Sequence, residues 1–361
     1  MAGPCRVFEL PPELIAEIFK ACLPPYPLCP DIHSSGTDSP LHLGHICREW
    51  RAIALSTPSL WRAIGMDATL RGQPLFKHLH LVKLFLERSG SGPLSVRLRS
   101  NPGAGAQRIL LDTLGPHRQR LQYLVLGGDL FVFSRVVGSL PQLRGAEFVG
   151  YSESPLVHLS QLDVPTLSSL SLWAVSLASV PSPHQLTKLC LTGYTPLECA
   201  AFLPQCPSLV FLSLTLNDFP RKPFPPKHPQ PGNIHFPHLQ TLVLQCRVVL
   251  QPDVQPLLLR LSMPSLRQLQ ISKLLLIVTH DSESDPASQI RDLVAQWGCT
   301  GSLDQLRIDG IGIVDVTLIS DPADQNVSKT FASAVTVATG GFEGQEWTQG
   351  ALPFSVMSRF F

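Results

Sequence analysis

The chain has 361 residues, enough for two or three domains, and its 44% apolar content supplies a core and excludes global disorder. Charged residues make up 15%, against roughly 25% in an average soluble protein. The formal net charge of +1 excludes a strongly basic nucleic-acid binder and an acidic tail protein. There are 34 prolines and 59 leucines, and only two leucines, Leu318 and Leu352, follow Ile308. A leucine-rich architecture therefore ends near residue 308.

The first residues, Met1 to Arg6, carry no signal-type apolar run. The longest aliphatic run, Leu274 to Val278, is five residues, whereas a membrane span needs about twenty. The nine cysteines form no CxxC pair, which fits reduced thiols. These features lead us to expect a cytoplasmic or nuclear protein with no membrane contact.

In chain order, the first predicted helix follows Leu10-Pro11-Pro12 and carries Leu14, Ile15, Ile18, Phe19 and Cys22 on one face. Pro12 suits a first turn, Glu13 and Glu17 lie near its positive end, and Lys20 lies near its C-terminus. Pro24-Pro25 stops it. The insert from Pro24 to Pro40, rich in Pro, Ser and Gly, is expected to loop outward. A second helix is expected through Leu43, Ile46, Cys47, Trp50 and Ile53, and Thr57-Pro58 opens a short third helix with Leu60 and Trp61.

These residues carry a resemblance. Leu10-Pro11-x-Glu13-Leu14-Ile15-x-x-Ile18-Phe19, then Ile46-Cys47-Arg48-x-Trp50-Arg51-x-Ile53-Ala54, resembles an F-box, and Thr57-Pro58-Ser59-Leu60-Trp61 is typical of fungal F-box proteins. The resemblance implies docking of a Skp-type adaptor of cullin-RING ubiquitin ligases. Leu10 and Pro11 would enter the adaptor. Leu14, Ile15, Ile18, Phe19, Ile46, Cys47 and Trp50 would line the contact or support it. Several of these residues have a simpler use, holding three helices together. A three-helix piece this small cannot bury two full faces, so part of its apolar surface needs a partner.

Further along, Leu75 to Arg88 reads as a helix closed by Ser89-Gly90, and Ala104 to Leu114 as another. A strand is expected at Leu94 to Leu98. The pattern L-x-x-L-x-L, with substitutions, then begins at Leu121, Leu143, Leu167, Leu186, Leu209, Leu239, Leu266 and Leu303, at spacings of 22, 24, 19, 23, 30, 27 and 37. Proline stands two residues before the first leucine at Pro141, Pro165, Pro207, Pro237 and Pro264. In a short strand the fourth and sixth residues point to the core and the third, fifth and seventh away from it. One repeat cannot bury its own leucines, so neighbours must stack.

This pattern resembles a leucine-rich repeat; the alternative is ordinary amphipathic strands in a generic α/β domain. The family's ninth-position asparagine is matched only by Asn217. Backbone groups that an asparagine ladder would satisfy therefore need other partners, and an irregular solenoid is expected. The fold class is thus α/β, a short all-helical F-box followed by an irregular leucine-rich-repeat solenoid. The expected divisions are an F-box at 6–64, a linker helix at 65–92 and eight to nine repeats at 93–309. Residues 310–361 are expected to be a C-terminal cap or a partly disordered tail. Strands are also expected near Ile311 to Leu318 and Ser333 to Thr339. Two inserts, Pro220 to Pro231 and Asp281 to Asp285, stretch the spacing and read as solvated loops or as recognition and modification segments.

No phosphate-binding, nucleophile-elbow, zinc-protease or dinucleotide motif occurs. His42, His45 and Cys47 have zinc-like spacing but lack a fourth ligand. No cofactor, metal or enzymatic activity is expected. The third, fifth and seventh strand positions include the large residues Tyr123, Trp173 and Phe211, and only four charges, Glu147, Lys188, Arg307 and Asp309. Tyr123, Trp173, Phe211, Lys188 and Arg307 are the candidate substrate-binding residues, and an unknown protein substrate is expected. The expected function is a non-catalytic substrate receptor of an SCF-type ubiquitin ligase, with a Skp-type adaptor and a cullin as partners. The alternative is a leucine-rich-repeat interaction scaffold without a role in ubiquitylation.

Overall fold

The computed structural model describes residues 10–29, 39–66, 75–99, 104–128, 138–150, 159, 162–173, 175–217, 232–246, 254–272, 275, 286–309 and 312–314. The expectations for Pro220 to Pro231, Asp281 to Asp285, Ser333 to Thr339 and nearly all of 310–361 lie outside these residues. The fold is mixed α/β, with eight α-helices among the described residues. The chain divides into two compact units, Met1–Leu167 and Ser168–Phe361.

The first unit opens with helix α1 (Pro12–Cys22). Where one continuous second helix was expected, there are two, α2 (Pro40–Ile46) and α3 (Arg48–Ser56). Cys47 between them is extended, at φ −154° and ψ 175°, and its thiol accepts a hydrogen bond from the Trp50 amide at 3.4 Å. The side chain thereby caps α3, satisfying an amide that the start of a helix leaves free. A 3₁₀ turn follows at Pro58–Trp61. Strand β1 (Ala63–Met66), unforeseen in the sequence, crosses the expected F-box boundary at residue 64.

Helix α4 (Leu75–Arg88) ends at Gly90, whose φ of +58° is easy for glycine and costly for other residues. Strand β2 (Leu94–Arg99), helix α5 (Ala104–Leu114) and strands β3 (Leu121–Gly128) and β4 (Gly145–Gly150) complete the unit. The four strands pair in the order β1-β2-β3-β4, all parallel. Trp61 joins helices to sheet. It is buried, its Nε1 donates to the Ala54 carbonyl on α3 at 2.8 Å, and its ring meets Phe85 of α4 edge-on at 5.0 Å.

The second unit contains β5 (Ser169–Trp173), β6 (Lys188–Tyr194), α6 (Pro196–Phe202), β7 (Phe211–Leu216), β8 (Ile234–His235) and β9 (Thr241–Cys246). Helix α7 (Val254–Leu258), β10 (Leu261–Ser262), β11 (Gln268–Ser272), α8 (Pro286–Gln296), β12 (Gln305–Asp309) and β13 (Gly312–Val314) follow. The sheet runs β5-β6-β7-β9-β11-β12, all parallel, and β13 closes it antiparallel. Strands β8 and β10 pair separately.

Register converts the leucine pattern into a core. Leu170, Leu189, Leu212, Leu242, Leu269 and Leu306 stand opposite one another across six strands, and all are buried. Leu172, Leu191, Leu214, Leu244, Ile271 and Ile308 form a second buried row. In the first unit Val96, Leu124 and Ala146, then Leu98, Leu126 and Phe148, do the same.

The start of each strand is built alike. In the second unit the second and third residues of a repeat both donate their amides to the carbonyl of the second residue one repeat earlier. The accepting carbonyls are those of Ser168, Thr187, Val210, Gln240 and Arg267. Side-chain hydroxyls add bonds to proline carbonyls just before the strands. Thr166 donates to the Pro141 carbonyl at 3.0 Å, Ser265 to Pro237 at 2.7 Å and Ser302 to Pro264 at 2.9 Å. Each donor directly precedes the first leucine of its repeat, and each acceptor is the proline two residues before the first leucine of the repeat before it.

Two outcomes follow from this packing. Leu212→Ala, a truncation in the middle of the buried row, lowers urea-unfolding stability by about 2–5 kcal/mol. Leu197→Ala, at an exposed position on α6, changes it by about 0.5 kcal/mol or less. Burial also pushes up the thiols of Cys206, to about 12, and Cys299, to about 11, and raises Cys199 further. In the unfolded chain thiols ionise near 8.5, so above that pH the folded state holds more protons and stability falls as pH rises. Urea midpoints at pH 8 and pH 10 therefore differ less in a Cys206→Ala/Cys299→Ala chain than in the wild type.

Candidate docking surfaces

The adaptor candidates separate by burial. On α1, Ile15 and Phe19 are buried, and the Phe19 ring lies 4.8 Å from that of Trp50 on α3. They build the helical core. The other side of the helix stays open. Leu10 is 37% exposed, Leu14 51% and Ile18 39%, a series spaced four residues apart and beginning just before the helix. Pro11 beside them is exposed too. Ile46, the last residue of α2, is 61% exposed. Cys47 and Trp50 are half-buried, with Cys47 occupied as the cap of α3.

Leu55 on α3 is also exposed and was missed in the sequence. It lies off the stripe of Leu43, Ile46, Cys47, Trp50 and Ile53, which was the signal available in the sequence. Charges on these helices pair locally or face water. Lys20 meets Glu17 at 2.7 Å. The Glu49 carboxyl, in the first turn of α3, is held below its usual value by a backbone hydrogen bond and then by one from Cys47.

The insert after α1 does not loop outward over its described part. Tyr26 donates its hydroxyl to Gln122 Oε1 at 3.1 Å and meets the Tyr123 ring edge-on at 5.9 Å. The Arg62 guanidinium lies 4.6 Å over the Tyr26 ring. Ser95 on β2 donates to the Pro27 carbonyl at 2.6 Å, and Cys29 Sγ stands 3.0 Å from Ser95 Oγ. Tyr26 and Pro27 form a turn closed by the Leu28 amide on the Pro25 carbonyl at 2.9 Å, and the prolines of this stretch bring no amide that would need a partner. Tyr123, a candidate substrate anchor, is thus engaged by the chain itself.

The strand side opposite the leucine rows departs from an open, solvent-facing surface. Its fifth positions, Val125, Glu147, Ser171, Ser213, Val243 and Gln270, are buried. Phe211, expected as an exposed anchor, is 6% exposed and packs with Val243 and Cys190. Trp173, Lys188 and Arg307 are half-buried. Parallel strands lie about 4.8 Å apart, so side chains within one row touch. Polar neighbours use this closeness: Thr241 donates to Gln268 Oε1 at 3.0 Å, Gln268 to Gln305 Oε1 at 3.2 Å and Thr215 to Gln245 Oε1 at 3.4 Å. Sequence alternation shows which way such residues point, and their mutual cover appears only once the strands are paired.

Among the described residues no group of three or more His, Cys, Asp and Glu is placed to hold a metal, His42, His45 and Cys47 included. An open groove of about 460 Å³ between α4 and α5 is lined by Leu79, Lys83, Glu87, Ile109, Asp112 and His117 among others. Burial and the Arg120 charge beside it hold the His117 imidazole below its usual value. Among the described residues no helix is long and apolar enough to cross a membrane. No protein-family model matches the chain, and no curated protein matches it.

The division of α1 into an inner and an outer face has a direct readout. Phe19→Ala costs about 3–5 kcal/mol in urea unfolding, while Leu14→Ala, half in water already, costs less than about 1 kcal/mol.

Proposed function

We propose that this protein is a substrate receptor of an SCF-type cullin-RING ubiquitin ligase. In this reading the N-terminal helices dock a Skp-type adaptor, and a leucine-rich-repeat solenoid in the remainder of the chain holds a protein substrate. The protein performs no bond chemistry. It raises the effective concentration of substrate near the ubiquitin-charged partner.

The observation that carries the reading is the row Leu10, Leu14 and Ile18, with Ile46 beyond it, left in water while Ile15 and Phe19 close the core. The F-box-like residue pattern thus divides into one set that supports the helices and one set free to meet a partner. Covering a large aliphatic side chain is worth about 1.5–3 kcal/mol when it starts fully exposed, and about half of that from these exposures. Four such residues supply an anchor without any charged contact. The expectation of a mainly apolar and neutral polar substrate contact rests on the accessible Thr215, Thr241, Gln245, Gln268 and Gln305 and the half-buried Trp173.

Co-purification of the full chain with a Skp-type adaptor and a cullin tests this. The wild type retains both partners. Leu14→Asp/Ile18→Asp keeps its urea midpoint and loses both. Wild type that retains the adaptor and excludes the cullin points to the interaction-scaffold reading. Wild type that retains neither overturns the proposal.

A further inference from the structure

Helices α1–α3 and the strands of the first unit are joined at two separate places. One is the turn at Pro58–Trp61, where Trp61 bonds to α3 and packs on α4. A single attachment of this kind lets a helical group swing about it. The other lies far away in sequence. Tyr26 reaches Gln122 across 96 residues, and Cys29 reaches Ser95 across 66.

We propose that the segment Tyr26–Cys29 is a strap that fixes the orientation of α1–α3 on β2 and β3, with Tyr26 as its positioning residue. Three partners hold the Tyr26 side chain from different sides: the Arg62 guanidinium over its ring, the Tyr123 ring at its edge and Gln122 Oε1 at its hydroxyl. One residue on, the backbone itself is tied down. The Pro27 carbonyl accepts from Ser95, and Ser95 and Cys29 are both buried. Arg62 follows the Trp61 turn directly, so its stacking on Tyr26 links the two attachments to each other.

A surface loop of this composition ordinarily needs no buried serine and no tyrosine partner. Their presence gives the insert a mechanical use, which α1 requires if it is to present an adaptor at a constant distance from the strands. That consequence rests on the proposed function; the strap itself does not.

Spin labels test the strap in the full chain. One sits on the exposed native Cys22 at the end of α1, and one on Asp112→Cys on α5, with other accessible thiols replaced by serine. The wild type gives one narrow distance distribution, and Tyr26→Phe, which loses only the bond to Gln122, stays narrow. Tyr26→Ala broadens the distribution at least twofold while the urea midpoint of the strand core remains. An unchanged distribution in Tyr26→Ala overturns the proposal. If Tyr26→Ala fails to fold, Arg62→Ala/Gln122→Ala, which removes two partners and keeps the tyrosine, takes its place with the same expectation and the same overturning result. Adaptor co-purification is read in parallel. Broadening in a chain whose wild type binds no adaptor sustains the strap and removes the ligase reading.

Discussion

The structure depends on parallel strands being held in one register, so that each leucine is covered by the corresponding leucine of the next strand. No strand of five or six residues buries two aliphatic side chains by itself, and the rows from Leu170 to Leu306 and from Leu172 to Ile308 exist only because six strands align. A slip of one residue would send every leucine of a strand to the other side. The paired amide donation at each strand start and the hydroxyl bonds to proline carbonyls act against that slip. They fix where each strand begins.

In the first unit the helices meet the strands through two aromatic side chains, Trp61 and Tyr26. One is a ring inside the core, bonded to α3 and set edge-on against Phe85. The other lies on the opposite side of the strands, against Tyr123. With both in place, α1 is free to leave Leu14 and Ile18 in water, because its stability comes from Ile15, Phe19 and Trp50 behind it.

Much of this was legible in the residues. Helices at Leu75–Arg88 and Ala104–Leu114 and the strand beginning at Leu94 agree with the sequence, because periodicity and caps are local properties. The stacking of Val96, Leu124 and Ala146 in the first unit, and of Leu170, Leu189 and their successors in the second, follows from a period of two repeated at near-regular spacing. What escaped depends on partners that a residue pattern does not name. The break at Cys47 depends on a thiol used as a cap, strand β1 on a partner about thirty residues away, and the path of Tyr26 on Gln122 and Ser95. For the docking surfaces, sequence grouped the apolar residues of α1 on one face and did not foresee their division, since Leu14 and Ile15 look alike until one of them meets Phe19's side of the helix. On the strands it gave directions correctly and exposure poorly, as Phe211 and Gln270 show.

The bonds from Thr166, Ser265 and Ser302 to prolines span 25, 28 and 38 residues of chain, yet each closes at 2.7–3.0 Å. The sheet therefore measures only where a repeat starts and is indifferent to how much chain has gone by since the last start. Insertions and deletions that fall after a strand and before the next proline turn leave the spacing of the strands untouched. Such a molecule can drift in length on one margin while its interior stays constant. The inserts that stretch the repeat to 30 and 37 residues are the visible record of that freedom.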